Sequence, residues 1–352
     1  MKKRLLAMLL VLTMILGLAS CGSKGSKDVS LSAQVEKMSD MKATYMEAVV
    51  NIETDMIQKE ALGLDISKLS LKLIGQVDKD NEKLAKIDIS YKLDKDEFAK
   101  LTTMVVDNQV IYINLKELKE AAPALIEKLD LSQYASILQA LPSTEYIKID
   151  PASLSQMGVS SEELSAANLS QEDAKKVMVM FTEVAKAVET AVKDVDPVVI
   201  TGEDSKVVIN LTDKNAKAAL EALAKTDYSK CFDTIIEQME GIESFKSTAA
   251  EYKGKKTEVL SDIKKTLEEA AKGVADQKDF AFNYSLDLSG SEGKRVADQS
   301  FTVNVKDDEG SLKMSLECKV DEGKTDSVQV PTDATDFMEL MSSLMGGMGM
   351  TN

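Results

Sequence analysis

A two-residue period limits the fold more than any other feature of this chain. Ile87, Ile89, Tyr91 and Leu93 alternate with Asp88, Ser90, Lys92 and Asp94. That is the pattern of a strand with one face on a core and one in water. Met46, Ala48, Val50, Ile52 and Met56 repeat it, as do Leu69, Leu71, Leu73 and Val77. Near the other end it returns in Phe280, Phe282, Tyr284, Leu286 and Leu288, then in Phe301, Val303 and Val305, then in Leu312, Met314, Leu316, Cys318 and Val320. A polar second face points to an antiparallel sheet, because parallel strands are usually buried on both sides. Polar turns between alternating runs, Asp107-Asn108-Gln109 and Asp307-Asp308-Glu309-Gly310, read as hairpins.

Between the strand blocks the period lengthens to that of a helix. Ser170-Gln171-Glu172-Asp173 offers an N-cap and an acidic first turn, and Val177, Phe181, Val184, Val188 and Val192 follow at three- and four-residue intervals until Asp196-Pro197. Similar spacing predicts helices over 114–129, 213–224, 229–242 and 258–274, with short strands near 145–149 and 198–211. The class is therefore α+β. A sheet with one apolar face must cover it, and amphipathic helices are what this chain supplies. Val110-Ile111-Tyr112-Ile113-Asn114-Leu115 and Lys206-Val207-Val208-Ile209-Asn210-Leu211 each run from strand into helix, which fits either an internal duplication or two segments sharing a local pattern.

The residues that carry most enzyme chemistry are missing. The 352-residue chain holds no histidine, which removes Ser-His-Asp and Cys-His nucleophiles, histidine zinc sites and the commonest general base. It holds no tryptophan for stacking on sugars, and its acidic residues fall on polar faces. Gly254-Lys255 resembles the end of a phosphate loop, but Ala249 and Lys256 stand where Gly and Ser or Thr are needed. Asp78-Lys79-Asp80-Asn81-Glu82 starts like a calcium loop, but Lys83 and Ile89 replace the Gly and Glu that would turn and close it. No catalytic residue, cofactor or metal ligand is assigned.

The first residues address the protein to a membrane surface. Met1-Lys2-Lys3-Arg4 precedes an apolar run from Leu5 to Leu18, too short for a comfortable span and typical of an export signal. Leu18-Ala19-Ser20-Cys21 resembles the lipobox of bacterial lipoproteins. That resemblance implies cleavage before Cys21, which receives a diacylglyceryl group and, with two or three acyl chains, holds the protein to the membrane outside the cytoplasm. Gly22-Ser23-Lys24-Gly25-Ser26-Lys27 reads as a flexible tether. Loss of residues 1–20 takes away Lys2, Lys3 and Arg4 and no acidic residue, leaving 40 basic against 59 acidic residues and a net charge of −19. Such a surface disfavours nucleic acid and anionic headgroups, so acyl chains and not a basic patch make the attachment.

Beyond Cys21 only Cys231 and Cys318 remain, available for one disulfide or as two buried thiols. The tail carries Met338, Met341, Met345, Met348 and Met350. Their spacing would suit soft Cu(I), while Phe337, Leu340, Met341 and Leu344 form a helical stripe able to dock on an apolar surface, which is the reading adopted.

The lipobox, the tether, a helix near 31–41, the alternating strands, the Val106-Asp107-Asn108-Gln109-Val110-Ile111-Tyr112-Ile113 hairpin and a last strand at Val328-Gln329-Val330-Pro331 together resemble LolA-like and LppX-like lipoproteins. The resemblance implies a large curved antiparallel sheet, an open half-barrel, with amphipathic helices on its concave face and a lipid or acyl ligand between them. On that reading residues 1–20 are the signal peptide, 21–30 the lipidated cysteine and tether, 31–330 the body with a helical central region at 153–274, and 331–352 a Met-rich tail. The expected ligand wall is Ile89, Tyr91, Phe282, Tyr284, Phe301, Val303 and Met314, with plain core packing as the alternative for each. The expected role is a non-catalytic, membrane-anchored binding protein. The alternative is a structural or protein-interaction lipoprotein of the envelope with no small ligand.

Overall fold

The computed structural model describes residues 30–38, 40–54, 68–93, 96–128, 135, 141, 143–156, 171–275, 278–307 and 310–347. The predicted signal peptide, Cys21, the tether, the Ser170 cap, Met348 and Met350 lie outside them. The described residues fall into two compact units, one within 30–42 and 171–311 and the other within 43–156 and 312–347. Together they hold twelve strands, mostly antiparallel in an unclosed arrangement, and nine α-helices among the described residues. The fold is α+β, as the alternation and helical spacing require.

In the second unit, the sheet unit, β1 (Tyr45–Thr54), β2 (Lys68–Val77), β3 (Leu84–Leu93), β4 (Ala99–Asp107), β5 (Val110–Asn114) and β6 (Tyr146–Ile149) form a meander in sequence order. β11 (Gly310–Asp321) pairs antiparallel with β1, and the short β12 (Ala334–Asp336) pairs parallel with β6. The β4–β5 turn is as predicted: Asp107 faces Val110, and Asn108 and Gln109 adopt φ of 45° and 79°. Positive φ at both central residues gives the twist that a two-residue hairpin needs. β5 runs straight into α2 (Leu115–Lys128), whose first turn is capped by Asn114 Oδ1 accepting from the Glu117 N–H at 2.9 Å. A short α3 (Pro151–Gln156) follows β6, and α9 (Phe337–Gly347) follows β12.

The predicted strand at Val328-Gln329-Val330-Pro331 is not one. The Val328 N–H donates to Asp78 Oδ2 at 2.7 Å instead of to a neighbouring strand, and Val328 buries itself against Leu84 and Val105. Pro331 has no N–H to offer a ladder. The last strand is β12, only three residues long. The loop that begins like a calcium site is a turn in which Asp78 spends its two oxygens on the Asp80 and Val328 N–H groups.

In the other unit, the helical unit, α1 (Leu31–Met38) is capped by Ser30 Oγ accepting from the Ala33 N–H at 3.1 Å. Then come α4 (Gln171–Val192), the hairpin β7 (Ile200–Glu203) and β8 (Lys206–Thr212), and the helices α5 (Ala216–Lys225), α6 (Ser229–Glu240), α7 (Lys246–Gly254) and α8 (Lys256–Ala275). β9 (Lys278–Ser289) and β10 (Val296–Asp307) close the unit, in the order β10-β9-β8-β7. Its core is the apolar face of these strands with Leu31, Val35 and Met38 of α1, Met178 and Ala185 of α4, and Ala216, Ala219 and Leu220 of α5. Of the apolar stripe predicted on α4, Val192 is buried while Val177, Phe181, Val184 and Val188 are only partly so, because the helix turns its neighbouring face, Met178, Thr182 and Ala185, most deeply inward.

Candidate functional site

Register lines up the apolar face of the sheet unit in rows. Directly opposed residues share a face. One row runs Leu316–Val50–Leu71–Tyr91, the next Met314–Ile52–Leu69–Leu93, and a third Cys318–Ala48–Leu73–Ile89. With strands about 4.8 Å apart and same-face residues about 6.7 Å apart along each strand, these rows make an apolar field roughly 14 Å by 13 Å. Ile89, Tyr91 and Met314, three of the predicted wall residues, stand one in each row.

The field is covered unevenly. Toward β5 and β6, Leu115 of α2 and Leu340 of α9 bury themselves against Ile147, with Ile113 and Leu118 beside them. Over β1, β2, β3 and β11 cover is partial: Met46 is 38% exposed and Leu71 36%, and Val50, Ile52, Leu69, Leu73, Ile89, Leu93, Met314 and Leu316 are half-buried, while Tyr91 is buried.

Across β11, β1 and β2 the opposite face carries paired polar side chains, while toward β3, β4 and β5 it buries Leu84 and Val105 against Val328 and Tyr112. Asn51 donates to Ser315 Oγ at 3.1 Å and accepts from Ser70 Oγ at 2.7 Å, a ladder across three strands. Lys72 pairs with Glu47 at 2.6 Å, and the Tyr45 hydroxyl donates to the same carboxylate at 2.8 Å. Lys72 and Tyr45 together hold the Glu47 carboxyl below its ordinary pKa. Burial alone would raise Asp88, but hydrogen bonds from Lys86, Thr103 and Lys100 outweigh it and leave that carboxyl below its ordinary value too. Lys100 also reaches Glu117 at 2.8 Å, tying α2 to the sheet.

The other four predicted wall residues belong to the helical unit, where they are sealed. Phe282, Tyr284, Phe301 and Val303 are 2–4% exposed. Phe301 stands opposite Tyr284 and Val303 opposite Phe282, and the rings of Phe282 and Phe301 meet edge to face at 5.4 Å and 71°. The seven predicted residues thus form two groups in two units, one partly covered and one closed. Leu71, Val50 and Leu316, which share a row with Tyr91, were not predicted as wall; pairing β2 to β3, β1 to β2 and β11 to β1 in register would have found them.

Among the described residues no helix is long and apolar enough to cross a membrane, and no cluster of three His, Cys, Asp or Glu side chains is arranged to hold a metal ion. Cys231 and Cys318 are not bridged. Burial pushes the Cys231 thiol up to about 11.

No family model matches the chain, and no curated protein matches it. Among solved structures it is similar to LprF from Mycobacterium bovis, at 9% identity, with 84% of this chain and 92% of that one covered. The TM-score is 0.21, below the range in which two chains share a fold.

Proposed function

We propose that this is a lipid-anchored, non-catalytic protein outside the cytoplasm that holds an apolar or acyl ligand against the apolar face of its sheet unit. One observation carries the reading: Leu71 remains more than a third exposed in the middle of an otherwise apolar field, with Met46 equally exposed just beyond its edge, and across β11, β1 and β2 the reverse face is polar and paired. Burial of each methylene of an acyl chain on such a field is worth about 0.8 kcal/mol, and the field presents no charge that a ligand would have to desolvate. The Leu18-Ala19-Ser20-Cys21 box, the tether after it and the absence of histidine support the anchor and the lack of catalysis.

Binding of cis-parinaric acid tests the site. Leu71→Lys sets a charge in the field and should weaken binding at least ~10-fold, while Glu317→Gln, on the polar face, should leave it unchanged. Equal affinity in the wild type and Leu71→Lys would remove the field as the site. The closed packing of Phe282, Tyr284, Phe301 and Val303 favours the second reading for the helical unit, a solid structural body presented to a protein partner.

A further inference from the structure

The row of the sheet unit that borders the apolar field has a gap in it. Paired in register, Val320 of β11, Met46 of β1, Gly75 of β2, Ile87 of β3 and Met104 of β4 stand in line. Four residues beyond Leu71 on the same strand, Gly75 lies on the same face as the field. Alone in this row it carries no side chain, and it is only half-buried.

Nothing in the fold requires a glycine there. Register is unbroken on both sides of Gly75, so it marks no bulge. Its φ lies outside the left-handed region. A Cβ built on it would meet only Met46, 3.8 Å from Cε and 3.9 Å from Cβ, which is ordinary van der Waals contact, and no backbone comes close. Glycine inside a strand weakens it, through chain entropy and the lost packing of a side chain, and where neither bulge nor bend explains it, it marks a place that another molecule approaches closely.

The size of the gap selects its occupant. Met46 and Ile87 flank Gly75 at one strand spacing each, so their backbones stand about 9.6 Å apart, and Leu73 and Val77 close the gap along β2 at about 6.7 Å each. A carbon seated between two side chains needs roughly 3.5–4.0 Å to each, which leaves room for one methylene chain and none for a helix of about 10 Å diameter. The row carries no charge, and Met46, unbranched and 38% exposed, is free to move aside. We infer that Gly75 and Met46 form the seat for the tail end of one unbranched acyl chain whose body lies on Leu71, and so set which chains the protein takes. This rests on the sheet-face reading and adds the residues that give it selectivity.

Displacement of cis-parinaric acid by hexadecanoic acid and by 15-methylhexadecanoic acid, whose tail is forked, tests the seat. The wild type should prefer the straight tail by ~10-fold. Gly75→Val fills the seat, so hexadecanoic acid should lose the burial of about two methylenes, ~10-fold in affinity, and the preference should vanish. Met46→Ala widens the seat and should narrow the preference by admitting the forked tail. An unchanged preference in both variants overturns the seat. Gly75→Val should also melt at or above the wild type, and a lower melting temperature or failure to fold would show that the glycine serves packing and overturn the seat as well. The two readings fail separately: no binding by the wild type removes the sheet-face site and the seat with it, whereas binding that is lost in Leu71→Lys but keeps its strength and preference in Gly75→Val removes the seat alone.

Discussion

Phe301→Ala and Leu71→Ala, taken as a pair, measure the difference between the two apolar surfaces. Phe301 is 2% exposed and shares an edge-to-face contact with Phe282. Its truncation should cost about 3–5 kcal/mol, of which ~0.5–1.5 kcal/mol is the ring pair. Leu71 is 36% exposed. Its truncation removes about three carbons at ~0.8 kcal/mol each, roughly two-thirds buried, and leaves no closed cavity, so ~1.5 kcal/mol is expected. At ~2–4 °C per kcal/mol for units of this size, Phe301→Ala should lower the melting temperature by about 10 °C and Leu71→Ala by about 3–6 °C. Circular dichroism during heating reads both. Equal losses, or a larger loss for Leu71, would refute the contrast between a sealed core and a part-covered field.

The Glu189 carboxylate of α4 accepts from the Leu31 and Ser32 N–H groups at the start of α1. Glu189→Ala should cost about 1 kcal/mol through loss of the α1 cap and speed hydrogen exchange at Leu31 and Ser32 above other helix starts, whereas unchanged exchange there would show that the carboxylate does not hold α1. Asp88 has its carboxyl pKa lowered in the fold, so it stabilises the protein above the ordinary value of about 3.9 and loses that contribution as pH falls through its folded value. Asp88→Asn should therefore be less stable than wild type at pH 7 by urea unfolding, and the gap should close in acid; a constant gap would contradict the assignment. With its thiol at about 11, Cys231 should react slowly with iodoacetamide at pH 8 in the folded chain. In denaturant without reductant Cys231 and Cys318 should both be alkylated, and a protein that takes up neither label would hold a bridge.

Strand positions were legible because alternation is local: the runs through Ile89, Phe282 and Met314 each sit in a strand whose apolar residues share a face. Helices α2, α4, α5, α6 and α8 were legible from spacing, but α7 was not, since Ala249 is the one residue it buries. β12 escaped because three residues carry no period, and its pairing with β6 joins positions nearly two hundred residues apart. How far a face is covered was not legible. Tyr284 and Leu71 occupy equivalent places in similar alternating runs, yet one is sealed and the other open, because cover comes from elements distant in sequence. Gln34 is the same lesson in reverse: polar by composition, it is buried because α1 packs on α4 and β9, with Glu189 hydrogen-bonded at its start and Arg295 at its end, and no local pattern announces those contacts.

An apolar field that takes up an acyl ligand should carry one out of the cell. Native mass spectrometry of residues 22–352, purified from a membrane-containing host and paired with lipid extraction, tests it most directly. One co-purifying lipid in stoichiometric amount is expected, displaced by added fatty acid and lost in Leu71→Lys. A clean protein mass together with no uptake of cis-parinaric acid would contradict it and leave a structural or partner-binding lipoprotein as the reading.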